Sequence, residues 1–314
     1  MENRVEIVDV ALRDGLQNER KEISTTQKLV LLEKLVNAGV SSIQVGSFVN
    51  PKLVPRMADI ETLASHLGKY PGVNFCALIL NTKGFERALA AGFQRMEFVL
   101  AVSETFHLRN ANRTVAESLK CLEQISAVAA REQVLIRVGF ATGFHCPFEG
   151  SISVSAVVDR ARQVREIAPW RIVLGDTDGM CFPDQVKAVV PALRDQADMQ
   201  SADLILHFHD TYGRALANTL AGLGTGIRTF DAAAGGLGGC PFCPGASGNV
   251  ATEDLVTFLE GLGYTTGIDV EKLLDAAELS LSFSSRPYEG HILRVRRPLA
   301  VGAATPSCAA TRQN

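Results

Sequence analysis

Eight short runs rich in β-branched and other apolar residues recur along this chain, with segments of helical periodicity between them. The runs are Val5–Val10, Ser42–Ser47, Asn74–Leu80, Met96–Ala101, Val134–Phe140, Arg171–Gly175, Leu204–His209 and Thr229–Ala234. Intervening stretches such as "TTQKLVLLEKLVNAG" and "KGFERALAAG" carry apolar residues at helical spacing, and Gly39, Gly92 and Gly226 stand where helices end. Strands that alternate with helices pair in parallel, and a count of eight predicts closure into a (β/α)8 TIM barrel, an α/β fold. An open doubly wound sheet is the alternative, but no G-x-G-x-x-G follows the first run. Two more helical segments, "TEDLVTFLEGLG" and "DVEKLLDAAELSLSFSS", predict a last barrel helix and a C-terminal helical extension. The expectation is one catalytic unit over residues 1–298 and a flexible tail over 299–314.

The formal net charge is −3 and there is no dense Lys/Arg stripe, which gives no electrostatic case for a nucleic-acid partner. Arg294, Arg296 and Arg297 form a run short enough to be a solvated face. No apolar stretch reaches the roughly 18 residues of a membrane span. The first strand begins almost at once, leaving no room for a targeting peptide, so the expected location is the cytoplasm; a chain already trimmed of such a peptide fits as well. Seven cysteines at irregular spacing, an odd number, fit a reducing compartment better than a disulfide scaffold. Cys308, in the small-residue tail, could meet another thiol under oxidation.

Chemistry in such a barrel sits at the C-terminal ends of the strands. The unusual polar residues fall there: Arg13 and Asp14 in "ALRDG", Gln44 on the second strand, Asp176 and Asp178 in "LGDTDG", and His207, His209 and Asp210 in "HFHD". Residues i and i+2 of a strand share a face, so His207 and His209 project together. They either chelate one cation or are two independently hydrogen-bonded imidazoles. Asp14 and Asn249 lie at the same rim. Two imidazoles, a carboxylate and an amide oxygen suit Mg²⁺ or Mn²⁺ with waters, with Zn²⁺ as a further option, and leave room for two substrate oxygens. Arg13 ends an apolar run, and its planar fork suits an oxyanion or enolate.

"GGLGGCPFCPGASGNV" (235–250) follows the eighth strand. Its Cys240 and Cys243 have redox spacing, but they sit among glycines and not at the helix start of a thioredoxin-like unit. A structural zinc site would need a second such pair, which the sequence lacks. A glycine-rich loop that brings one thiol to a substrate remains, with reversible oxidation that blocks Cys240 as a further option.

"RDGLQNE" (13–19), "GSFVNPKLVPRMAD" (46–59), "HFHDTYGRALANTL" (207–220) and "GLGGCP…GASGNVATEDLV" (236–256) together resemble the 3-hydroxy-3-methylglutaryl-CoA lyases, over roughly residues 3–285. The glycine-rich loop is specific to the lyase branch, whereas "RDG" and "H-x-H" are shared with related synthases and aldolases. The resemblance implies retro-Claisen cleavage of an acyl-CoA substrate to acetyl-CoA and a keto acid, with a homodimer or higher homo-oligomer as the assembly. It implies that Asp14, His207, His209 and Asn249 hold the divalent metal. Arg13 would stabilise the thioester enolate, Asp176 would be an acidic group of the catalytic site and Cys240 would protonate the enolate carbon. His207 and Gln44 join that catalytic set.

The chain also departs from the family pattern. Gln44 stands where the family has a glutamate, and Asp178 where the lyases commonly have an apolar residue; Asp178 is expected to compensate partly for Gln44. In "GFATGFHCPFEG", Gly139, Ala141, Thr142 and His145 replace bulkier or thiol residues, so Thr142 and Asp178 are expected at the acyl group. His145 is either a second acid–base group or plain surface. Arg20 is expected to meet a CoA phosphate, and Asn110, with Asn112, the substrate; helix capping is the structural alternative for both asparagines. These departures leave three options: the hydroxymethylglutaryl ester, the same cleavage of a longer branched 3-hydroxyglutaryl or methylmalate-type (citramalyl) ester, or a related Claisen condensation. A non-catalytic binding protein would not need the intact set of Arg13, Asp14, His207, His209, Cys240 and Asn249.

Overall fold

The computed structural model describes residues 3–167, 170–239, 247–284 and 290–297. Barrel strands β1 (Glu6–Asp9), β2 (Ser42–Ser47), β3 (Asn74–Ile79), β4 (Arg95–Ala101) and β5 (Leu135–Ala141) are followed by a small hairpin, β6 (His145–Cys146) with β7 (Gly150–Ser151). Strands β8 (Arg171–Asp176), β9 (Leu204–Phe208) and β10 (Thr229–Ala232) complete the barrel. It closes in the order β1-β10-β9-β8-β5-β4-β3-β2, and every barrel pair is parallel. All eight expected runs are strands, within two residues at each end.

Helices α1 (Thr25–Asn37), α2 (Ile60–Ala64), α3 (Thr82–Ala90), α4 (Glu104–Ala111), α5 (Val115–Arg131), α6 (Val154–Arg165), α7 (Pro183–Ala197), α8 (Ala215–Gly224) and α9 (Thr252–Gly261) surround the sheet. The extension consists of α10 (Val270–Phe283) and α11 (His291–Arg296). Helix α1 starts at a Ser24–Gln27 capping box and ends where Gly39 takes φ +92°. A side chain at Gly39 would also strike the Gly267 carbonyl. Among the described residues no helix is long and apolar enough to cross a membrane.

Period-2 alternation separates two environments. Ile43 and Val45, Met96 and Phe98, Ile136 and Val138, Leu206 and Phe208, and Phe230 and Ala232 are buried against the helical shell. The residues between them face the lumen: Gln44, Glu97, Arg137, His207 and Asp231. The lumen is therefore lined by charge at the level where the site begins.

Candidate active site

The "ALRDG" segment was expected to end a strand. Instead β1 stops at Asp9 and residues Ala11–Gly15 form a single π-helical turn. The Asp9 carboxylate ends the strand by accepting from the backbone N–H of Ala11 and Ala234 (both 2.9 Å) and from the Thr252 hydroxyl (2.7 Å). The N–H groups of Arg13, Asp14 and Gly15 then converge on the Val10 carbonyl. Such turns are concentrated at functional sites because they aim side chains that a regular strand cannot.

The turn points Asp14 at the end of β9. His207 is the cross-strand neighbour of Asp231 on β10, and His209 lies just beyond the strand. Asn249 is held beside His209 by a local antiparallel bridge, with Asp210 N–H donating to the Gly248 carbonyl and Val250 N–H to that of Phe208. One potential ligand atom from each of Asp14, His207 and His209 lies within 4.8 Å of the others. Asn249 Nδ2 donates to Asp14 Oδ2 (2.7 Å) and to the Leu237 carbonyl (2.8 Å), which leaves Asn249 Oδ1 buried without a partner. Both ring nitrogens of His209 are also buried and unpartnered, with Nε2 3.5 Å from Asp14 Oδ2. Native proteins rarely leave so many buried polar atoms unpaired. Two imidazole nitrogens and an amide oxygen around a carboxylate form a donor set that fits a divalent cation. His207 Nδ1 is engaged by Asp231 (3.1 Å), the outer-shell arrangement that orients a ligating histidine.

Electrostatics favour the same reading. Burial alone would raise the Asp14 carboxyl, but Arg13, His209 and His207 override it and hold the group well below the usual carboxylate range. Burial would lower His207, yet Asp231 and Asp14 raise it. Arg13 is fixed on two sides: Nη1 pairs with Asp14 (2.5 Å) and Nε donates to Gln44 Oε1. Asp176 accepts from Cys181 N–H through Oδ1 (3.1 Å), its Oδ2 is buried and unpartnered, and burial pushes its carboxyl up to about 7.

Other expected residues fall elsewhere. Asp178 does not contact Gln44; its Oδ2 is 2.6 Å from His145 Nδ1 and its Oδ1 accepts from Met180 N–H. The carboxylate in contact with Gln44 is that of Glu97, so any compensation of Gln44 by Asp178 acts across the rim and not by contact. Thr142 is buried in a left-handed conformation (φ +55°), costly for a β-branched residue. Its hydroxyl donates to the Ala141 carbonyl and accepts from Ser103 N–H, so it is already committed within the protein. Asn110 is exposed on the last turn of α4, and Asn112 ends that helix in a left-handed conformation, as the capping alternative has it. Arg20 is exposed beside the "RDGLQNE" segment. Cys240 and Cys243 lie outside the described residues, as does Cys308. The strand of loop leading to them is close to the site: a Cβ on Gly238 would collide with Asn249 Nδ2 and lie 2.9 Å from Asp14 Oδ2. Asn18 anchors the same stretch by donating to the Gly239 carbonyl (3.0 Å).

Glu97, Arg137 and Asp231 escaped the sequence reading. Each is a lone charge inside an apolar strand ("RMEFVL", "LIRVGF", "TFDAA"), where alternation demands a lumen position and a partner.

The family model HMGL-like matches residues 4–279. Human mitochondrial hydroxymethylglutaryl-CoA lyase is 42% identical over 273 residues, covering 87% of this chain and 83% of the relative. The crystal structure of HMG-CoA lyase from Bacillus subtilis is 38% identical with a TM-score of 0.89, covering 94% of this chain and 98% of that one. An HMG-CoA lyase from Acinetobacter baumannii, solved in complex with coenzyme A and 3-methylmalate, is 34% identical with a TM-score of 0.89 over 97% of this chain and 98% of its own. With a family model matched over most of its length and relatives above 30% identity, this chain belongs to the HMGL-like family.

Proposed function

We propose that this protein is a divalent-metal-dependent carbon–carbon lyase that cleaves 3-hydroxy-3-methylglutaryl-CoA to acetyl-CoA and acetoacetate. The observation that carries this reading is the unpartnered donor set of His209 and Asn249 around Asp14, beside Arg13. Asp14, His207, His209 and Asn249 would hold Mg²⁺ or Mn²⁺, with Zn²⁺ the softer option. The bound cation supplies Lewis acidity toward the substrate's oxygens.

The chain's own groups divide the remaining work. The C3 hydroxyl must lose its proton as the C2–C3 bond breaks, so that C3 becomes a ketone and the bond's electron pair passes to C2. Asp176 Oδ2 is suited to hold that proton, since burial sets the carboxyl near neutrality. His207, oriented through Nδ1 by Asp231, keeps Nε2 for the cation and would serve the reaction as a ligand. Arg13, pinned by Gln44 and Asp14, meets the thioester oxygen as the enolate forms. Cys240 is our candidate for returning a proton to C2, and Arg20 and Asn110 for contacts with the CoA ester. The working assembly is taken as a homodimer.

The test is acetyl-CoA release from the hydroxymethylglutaryl ester by reduced protein with Mg²⁺ or Mn²⁺. Rapid release abolished by EDTA is expected; no release from folded, metal-loaded protein overturns the reading. A second reading keeps the chemistry and changes the acyl group, and the His145–Asp178 pair favours it, because a polar contact of 2.6 Å lies beside Asp176 where the family expectation was apolar. Under that reading kcat/KM is higher for a longer or more polar 3-hydroxyacyl ester, and His145→Ala raises KM for that ester selectively.

A further inference from the structure

Gln44, Glu97 and Arg137 form a buried relay across three strands. Gln44 Nε2 donates to Glu97 Oε2 (2.9 Å), and the same oxygen accepts from Arg137 Nε (2.7 Å). Glu97 and Arg137 are direct cross-strand partners between β4 and β5. Arg137 Nη1 lies 3.9 Å from Asp231, which holds His207. Space has been made for the carboxylate: a Cβ on Gly139 would lie 2.7 Å from Glu97 Oε1. The β2–β3 register is irregular immediately after Gln44, between Gln44 and Gly46.

We infer that Glu97 is a positioning residue for Arg13, acting through Gln44, and that the carboxylate charge expected at the strand-two position has been moved to β4. The reason lies in what each group can do. A carboxylate only accepts hydrogen bonds, so Glu97 holds the Gln44 amide with Nε2 toward itself. Oε1 is then forced toward Arg13 Nε, and the guanidinium is locked in one orientation at the rim. The same contact explains the glutamine. A glutamate at position 44 would bring two carboxylates to hydrogen-bonding distance in a buried space already shared with Arg137, Asp231 and the Cys76 thiol, which burial pushes up to about 11. One negative charge fits between Arg13 and Arg137, and it sits on β4.

The inference rests on the lyase reading, and a reciprocal exchange tests it. Q44E, E97Q and the double variant Q44E/E97Q are compared in acetyl-CoA release, with melting temperature followed from pH 5 to 9. E97Q is expected to lower kcat about 10- to 100-fold, the range of outer-shell changes, with KM little altered. Q44E should lose activity, and its melting temperature relative to wild type should fall as pH rises, because the carboxylate whose pKa is raised by its neighbour loses its contribution on ionising. The double variant should recover kcat to within about threefold of wild type and show no such pH slope. Failure of the double variant to recover, or loss of melting temperature in E97Q with unchanged kcat, overturns the inference and leaves Glu97 as a counter-ion for Arg137. G139A is a milder probe that displaces Glu97 without removing it and should lower kcat in the same direction. If wild type cleaves no ester, the lyase reading fails, while the pH-dependent melts still judge the charge exchange.

Discussion

The two ends of this barrel treat their polar groups in opposite ways. At the N-terminal end, Glu6 accepts from the Ser42 hydroxyl (2.7 Å), Arg171 Nη1 (3.1 Å) and the Thr229 hydroxyl (3.4 Å), so that both of its oxygens are used. At the C-terminal end, both His209 nitrogens, Asn249 Oδ1 and Asp176 Oδ2 are buried without partners. A cleft of about 420 Å³ opens at the N-terminal end beside Arg4, Glu6, Arg171 and Arg228. Volume therefore does not single out the site; the gathering of unpaired His209 and Asn249 atoms around one carboxylate does. A satisfied carboxylate contributes to stability, whereas an unsatisfied donor set costs stability until something binds it.

The largest effect should come from removing a ligand at the unsatisfied end. His209→Ala is expected to lower kcat by more than the roughly 100-fold typical of outer-shell changes, yet to change the metal-free melting temperature only modestly, because loss of the 3.5 Å contact with Asp14 is offset by removal of two buried ring nitrogens without hydrogen-bond partners. Parallel assays of cleavage and of thermal unfolding in EDTA check both halves; a large stability loss would mean that His209 is structural. Next comes Asp231→Asn, which frees His207 Nδ1 from its charged partner and should weaken metal affinity 10- to 100-fold in a direct titration. The smallest effect is a difference in pH slope between the two ends. Burial would raise Glu6, but Ser42, Arg171 and Thr229 lower it below its usual 4.5, so its contribution is present above that value and is lost on acidification. Asp176 is raised from 3.8 to about 7 by burial, so its contribution is full below about 4 and is lost as pH climbs through 7. The destabilisation caused by E6Q should thus shrink toward acid pH, while that caused by D176N should shrink or reverse toward alkaline pH. Melting curves of the metal-free proteins decide, and parallel slopes would remove the contrast.

The barrel was legible because period-2 and helical patterns alternate without interruption, and because glycines such as Gly39 and Gly92 mark the helix ends. The clustering of Asp14, His207 and His209 was legible for a related reason, since "HFH" and "RDG" place rare polar residues at strand ends. The π turn was not, because nothing in "ALRDG" distinguishes it from a strand end; it follows from the Asp9 carboxylate capturing backbone groups 225 residues away at Ala234. The Glu97–Arg137 pair shows where local reading stops. Each residue looks like an interruption of its own strand, and only the register of β4 against β5 makes them partners. The contact of Asp178 with His145 was not legible either, because the short β6–β7 hairpin that delivers His145 has no periodic signature.

The hydrogen bond between Asn249 and Asp14 joins positions 235 residues apart. On a ribosome adding about 5 to 20 residues per second, the first of these residues waits roughly 12 to 47 seconds for the second. Until then the Asn249 amide is missing from the donor set around Asp14, although β10, the partner of β1, has already been made. A product truncated before residue 249 would therefore lack this Asp14 partner.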